Sequence, residues 1–544
     1  MAHYFLRLIV PALSFLLLGT VASVAQQLID VCLKSGVLIR AAKIESRAGK
    51  FVIYPEGGGA AIEMAEDQVK GIAVQCGPQA APPAVVVQRF GMHGSNTIGE
   101  RLMPMIIDAY AQKTFGAKPA HKPRAPEEEE IEIRRAGVTE PVAVIDFQAK
   151  GSGTSASALL GGKAAIGMSS RRANDDEASK IQAQHRIDLR TPGNEHVLAL
   201  DGLAVIVNAA NPIKTLTLEQ IARIFAGELS NWKDVAYRDE SGREVSGPDR
   251  PIKLHARDNK SGTYDTFVAL VLAPPGETKR QLSAQATRYE SSENLSDAVA
   301  KDAGAIGFIG LPYINRNHPL SIASPCGLSS NPSKFTIKTE QYPLSRRLFL
   351  YSIGMPNGSI AREILQFALS DAAQATVTEA DFVDQSVEFQ DVADQRAWRQ
   401  ALTANPGMGL GGEKDAPLAA TRAMDAALQR MKRSTVVFRF GYNNSDLDAK
   451  VVQDVARLAR YLQSPQMGGK RFQLVGFADS KGGWSYNQGL SVRRAAHVAA
   501  ELQKLGVPVP RDSVVGMSYA APVACNGTPV GEAKNRRVEV WIAQ

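Results

Sequence analysis

Apolar and polar positions alternate in three different ways along this chain. Between residues 26 and 77 the apolar runs are short: Val37-Leu38-Ile39, Phe51-Val52-Ile53-Tyr54, Ala60 to Met64 and Val69 to Val74, parted by turns rich in glycine or charge. Such runs predict strands, and hence a small β unit. A Pro/Ala stretch over 78–85 reads as a linker. From 86 to 395, strand-like runs alternate with helical patterns. Val86 to Phe90 precedes a helix through Ala111, Val142 to Ile145 precedes a helix from Ala156 to Gly161, and Ala165 to Met168 and Leu203 to Val207 read as buried strands. Alternating βαβ units predict an α/β region with a largely parallel sheet. Residues 396–434 form a spacer, Gly-rich over 405–412 and helical from Ala416 to Met431. From 435 to 544 the order is strand Val436 to Phe440, helix Asp448 to Leu462, strand Arg471 to Phe477, helix Leu490 to Leu505 and strand Arg537 to Ile542, an α+β domain.

Residues 1–25 have another pattern. Arg7 precedes an apolar run from Leu8 to Leu18, and Ser23-Val24-Ala25 offers small residues for cleavage before Gln26. This predicts a cleaved signal peptide and an exported protein. The run is short for a membrane span.

A length of 544 residues exceeds what one core serves, so several domains follow. The net charge of +7 is spread along the chain, with no basic stripe interleaved with aromatics, which argues against nucleic acid as a partner. Four cysteines in an exported chain suggest disulfides. Cys32 and Cys76 bracket the small β unit and are expected to pair; Cys326 and Cys525 are left either paired or free. No cysteine has a Cys or His at metal-ligand spacing, no histidine sits in a recognisable triad, and neither a metal nor a cofactor is called for. The charged insertion from Pro119 to Glu130 reads as a solvated loop.

The chemistry gathers where strands end. Ser95-Asn96-Thr97, Ser152-Gly153-Thr154, Ser170-Arg171 and Arg257 with Ser261-Gly262-Thr263 each follow a predicted strand, and Ser261 to Thr263 open a helix. The first amides of a helix lack internal partners and carry the positive end of its dipole. Hydroxyls, free amides and a guanidinium fork can together satisfy the many lone pairs of a small oxyanion.

Gly94-Ser95-Asn96-Thr97, Gly151-Ser152-Gly153-Thr154, Ile166 to Arg171, Leu200 to Asn208, Ile224 to Gly227 with Asn231-Trp232, and Arg257 with Ser261-Gly262-Thr263 resemble the phosphate-binding protein of the high-affinity phosphate ABC transporter. The resemblance spans 86–395. It implies a two-lobed periplasmic binding protein of type II that closes on inorganic phosphate, with a transporter permease as onward partner if uptake is its purpose. It matches Ser152 to the first-lobe serine, Arg257, Ser261, Gly262 and Thr263 to the second-lobe motif, and Asn96 or Thr97 to the first-turn threonine. One departure matters: Ser170 stands where the family archetype has an aspartate that accepts a hydrogen bond from protonated phosphate. Discrimination against sulfate is weaker without it. Arg171 either adds a contact or lies in solvent.

In the C-terminal domain, Arg494 falls on the apolar stripe of Leu490, Val498 and Leu502, where a guanidinium needs an anionic partner. Asp479, at the end of the preceding strand, is in a position to meet it. Asp479, Asn487, Leu490-Ser491, Arg494-Ala495 and Asn535-Arg536-Arg537 resemble the OmpA-like peptidoglycan-binding domain over 435–544. That resemblance implies that Asp479 and Arg494, with Asn487 and Leu490 beside them, hold the diaminopimelate end of a peptidoglycan stem peptide. Ala478 replaces the usual threonine. The whole is expected to be a periplasmic phosphate receptor tethered to peptidoglycan or the outer membrane, for uptake or sensing. The rival expectation is a structural envelope protein whose binding fold has lost its ligand.

Overall fold

The computed structural model describes residues 29–34, 38–56, 60–73, 87–239, 243–259, 261–274, 278–390, 394–395, 415–441 and 448–544. The expected signal peptide, the 78–85 linker, Cys76 and the Gly-rich spacer lie outside them. The chain forms two compact units, 1–86 and 87–544.

The first unit is an antiparallel sheet of five strands, Ile29–Leu33, Leu38–Arg47, Lys50–Pro55, Ile62–Ala65 and Val69–Ala73, in spatial order 4-3-2-1-5. Val31, Ala41 and Ile53 form its small core. Cys32, in the first strand, is disulfide-bonded.

In the second unit the strand Glu195–Val207 organises the α/β part. All thirteen residues are buried. Its first half pairs with Ser345–Tyr351 and its second half with Ala305–Gly310. The two halves therefore serve different lobes with separate cores, one around Met92, Ile106, Ile145 and Ile364, the other around Phe225, Phe267, Phe308 and Trp232. Gly202 stands where the partner changes. A Cβ there would come within 2.2 Å of Ile337 Cδ1, so a larger residue would have to displace the Ile337 side chain.

The sheet is mixed rather than largely parallel. Gln88–Gly94 is parallel to Ile166–Ser169 and Pro141–Gln148, and Lys253–Arg257 to Thr287–Tyr289 and Ala305–Gly310, but the strands at the lobe crossing run antiparallel. The insertion expected as a loop is a hairpin, Ala120–Ala125 with Glu128–Arg134, added to the sheet edge. Its glutamates fit there because cations face them: Lys150 meets Glu128, His121 meets Glu129 at 2.9 Å, and Arg124 meets Glu130.

Met431–Arg439, Arg537–Ala543, Phe472–Gly476 and Val514–Gly516 form the four-stranded C-terminal sheet in that order, with helices Ala449–Gln463 and Trp484–Lys504. Residues 388–390 extend its edge: Gln390 N donates to Arg433 O at 2.9 Å and Thr435 N to Glu388 O at 2.8 Å. This domain is joined to the second lobe by a disulfide between Cys326 and Cys525.

Candidate functional site

Because Gln88–Gly94 lies between two parallel neighbours, three strand ends of the first lobe open side by side. Backbone hydrogen bonds tie their turns together: Ser95 N donates to Met168 O at 2.9 Å and Gly151 N to Gly94 O at 2.8 Å. Ser152 Oγ accepts from Ser170 N at 3.0 Å and shares a 3.1 Å hydrogen bond with Ser170 Oγ. Gly153 opens the helix Gly153–Leu160, and the Thr154 hydroxyl donates to Gly151 O at 2.8 Å. Ser95 is buried, whereas the Asn96 amide turns to Glu127 at 3.1 Å.

In the second lobe, Lys253–Arg257 leads to the helix Gly262–Phe267, whose N-cap Ser261 accepts from Thr263 N at 3.2 Å. Here the two lobes meet. A Cβ on Gly262 would lie 2.3 Å from Thr97 Oγ1 and 2.8 Å from Thr97 Cβ, so the helix start sits directly on the first lobe. Arg346, from the returning strand Ser345–Tyr351, locks this contact. Its Nη2 donates to Thr97 Oγ1 at 3.1 Å and to Gly262 O at 3.0 Å, and its Nε to Asp201 Oδ2 at 3.1 Å. Asp201 also accepts from the Thr266 hydroxyl at 3.4 Å. Burial lowers the Arg346 pKa, and Asp201 is the charge that chiefly opposes this. A second interlobe link runs from the Tyr313 hydroxyl to Asp381, which Arg101 also reaches.

Ser95, Thr97, Ser152, Ser170 and Gly262 thus belong to one connected set of turns. The arginines do not stand over it. Arg171 is engaged by a carboxylate of its own chain: its guanidinium forms a fork with Glu177 at 2.8 and 2.6 Å. Arg257 donates to Tyr289 O at 3.3 Å, Glu290 O at 2.7 Å and Ser292 Oγ at 2.5 Å, in a recess shared with Glu293 and Tyr313. Among the described residues it forms no ion pair with a carboxylate, and burial lowers its pKa against the pull of Asp258 and Glu100. Sequence reasoning missed Arg346 and Asp201. The available signal was Arg346-Arg347 beside the apolar Leu348-Phe349-Leu350, two charges entering a buried strand.

In the C-terminal domain, Asp479 and Arg494 do not pair. Asp479 Oδ2 accepts from Arg536 Nη1 at 2.8 Å and its Oδ1 from Lys481 N at 3.0 Å. Arg494, 1% exposed, donates to Phe477 O at 3.3 Å and Gly441 O at 3.4 Å, and its guanidinium lies 5.6 Å from the Phe440 ring centroid. Its Nε has no partner, and among the described residues no carboxylate comes within ion-pair reach. Burial pushes its pKa down to about 10, with Asp479 opposing. Asn487 holds the loop between them, donating to Lys481 O at 2.9 Å and Gly482 O at 3.2 Å. Leu490 is half-buried, and Leu505, read as the last residue of this helix, is exposed past its end.

Residues 129–372 match the model of the PBP superfamily domain, and residues 439–536 that of the OmpA family. A phosphate-binding protein PstS of Staphylococcus haemolyticus is 28% identical over 242 residues, 43% of this chain and 70% of that protein. One from Bacillus subtilis is 28% identical over 239 residues, 44% of this chain and 69% of that protein. An ABC-type phosphate transport receptor from Vibrio cholerae, of known structure, aligns with 54% of this chain and 99% of its own at 23% identity and a TM-score of 0.41. The two-lobed part of the chain is thus similar to the PBP superfamily domain over residues 129–372, and the domain that follows it to the OmpA family over residues 439–536.

Proposed function

We propose that the two lobes close around one inorganic phosphate ion and that the C-terminal domain holds the protein on peptidoglycan within the cell envelope. The observation that carries the first half is the meeting of Thr97, Gly262 and Arg346, where turns of both lobes approach to hydrogen-bond distance. Around it, Ser95, Ser152, Ser170 and the N-capped start of Gly262–Phe267 offer hydroxyl and amide donors. Arg257 is the cation whose bonds, to a hydroxyl and two carbonyls, are weaker than those an oxyanion would offer it. Asp201 supplies a carboxylate near the same contact, a role Ser170 leaves open; it would accept a hydrogen bond from protonated phosphate and repel sulfate, which has no proton to donate. The PstS proteins of Staphylococcus haemolyticus and Bacillus subtilis support phosphate as the ligand.

The second half rests on Arg494, a buried guanidinium with no ion-pair carboxylate among the described residues, bonded to Phe477 O two positions before Asp479. A ligand carboxylate satisfies Arg494, and an ammonium group can share Asp479 with Arg536. Calorimetric titration of the full chain with phosphate, then with sulfate, tests the receptor; no heat at micromolar phosphate ends it. Co-sedimentation with purified peptidoglycan, with and without Asp479→Ala, tests the tether. The engagement of Arg171 by Glu177 favours one rival, a structural envelope protein with a silent cleft, and the same titration decides between them.

A further inference from the structure

The C-terminal domain is docked on both lobes and on the strand between them. On the second lobe, the Cys326–Cys525 disulfide fixes one point. Beside it, Arg439 donates to Thr339 O and lies 3.8 Å from Glu340, Lys534 donates to Gln341 O at 3.3 Å, and Arg433 stands 5.3 Å from the Phe335 ring centroid. On the first lobe, Arg460 holds Asp371 through two bonds of 2.8 and 2.9 Å. Arg457 donates to Gln385 Oε1 at 3.1 Å, and Gln385 in turn donates to Val197 O and Leu198 O in the first-lobe half of the crossing strand. Between these, Arg347 bridges Glu340 and Asp448, the N-cap of Ala449–Gln463.

One rigid helix therefore reaches the first lobe through Arg457 and Arg460 and the crossing through Asp448, while the sheet it packs on is bonded to the second lobe. Gly202 pairs with Ser345 where the strands pass between the lobes, and a rotation of the lobes there would change the spacing between these anchor points. A body attached on both sides of a hinge resists that change. The described contacts are those of a closed cleft, with Gly262 seated on Thr97. We propose that the C-terminal domain is a brace across the hinge: docked, it favours the closed arrangement, and undocking it speeds opening. Coupling of this kind is reciprocal, so a ligand that closes the cleft also tightens the docking.

The brace does not depend on which ligand fills the cleft; its effect on phosphate release rests on the phosphate reading. The full chain and a D371A/D448A/C326S/C525S variant are compared by hydrogen exchange without ligand and by phosphate release in stopped flow. Exchange within Gly262–Phe267 should accelerate by about five- to 150-fold, and release by a similar factor. Where that variant loses its native far-UV dichroism, D371A/D448A with the disulfide kept is used, with the same direction expected. Unchanged exchange in a folded variant overturns the brace. Unchanged release from a chain that binds phosphate overturns it equally and leaves the receptor standing. A wild-type chain that never binds phosphate defeats the receptor instead, and exchange alone then judges the brace.

Discussion

Gly262→Ala isolates lobe closure from folding. In the first turn of a helix, alanine is the better residue, and the change contributes roughly 0.5–1 kcal/mol to the fold wherever its methyl has room. In the closed cleft it has none: the new Cβ would lie 2.3 Å from Thr97 Oγ1, 2.8 Å from its Cβ and 2.9 Å from its Cα. Two of those atoms cannot swing aside by a rotamer change, so the lobes must part. Overpacking of a close contact costs about 1–3 kcal/mol. At about 2 kcal/mol this weakens phosphate binding by up to roughly thirtyfold. The assay pairs calorimetric titration with thermal unfolding in phosphate-free buffer. Weaker binding with an unchanged or higher melting temperature is the expected signature. Equal affinity in the variant would refute the claim that Gly262 and Thr97 meet when ligand is held.

Three further outcomes follow from buried charge. Arg346→Met removes the ion-pair partner of Asp201 inside the cleft and should destabilise the chain by about 3–5 kcal/mol, read by denaturant unfolding, because a buried carboxylate loses its countercharge. In the C-terminal domain the signs differ: Arg494→Met should leave stability unchanged or raised, since no carboxylate among the described residues pairs with it, while Asp479→Ala removes the carboxylate paired with Arg536 and lowers the melting temperature; both should lose peptidoglycan in co-sedimentation. His196 is buried against Ser352, and burial pushes its pKa from an ordinary 6.5 to about 4. The unfolded chain then binds a proton first as pH falls, so stability drops between pH 6.5 and 4, by about 2 kcal/mol at pH 5; His196→Gln should flatten that slope in urea titrations, and an identical slope would exclude this histidine as the cause.

What the sequence made legible was local. Ser261-Gly262-Thr263 reads as a helix start from its capping residue and the apolar run behind it, and it is one. The five elements read in the C-terminal domain are present, with the first strand beginning at Met431 rather than Val436 and the second helix at Trp484 rather than Leu490, because Tyr486 and Gln488 hide its first turns; the short strand Val514–Gly516 and the helix Pro529–Asn535 were not read. What distant segments do to each other was not legible. Asp201 looks like a turn residue before Gly202, and only the return of Ser345–Tyr351 alongside gives it Arg346. Asp479 and Arg494 share a motif, yet the carboxylate turns to Arg536, fifty-seven positions away. The glutamates at 127–130 suggested a solvated loop because composition cannot reveal that Lys150 and His121 wait on the neighbouring strands.

The Cys326–Cys525 bond closes a ring of chain that contains the end of one domain and nearly all of the next, its ends 199 positions apart. A single protease cut anywhere within that ring opens it without releasing a fragment. A nicked molecule would keep its full mass on a non-reducing gel and separate into two pieces only with a thiol reagent. On the proposed reading of a receptor tethered in the envelope, its two parts would stay one covalent object after damage that would shed either half of an unstapled fusion.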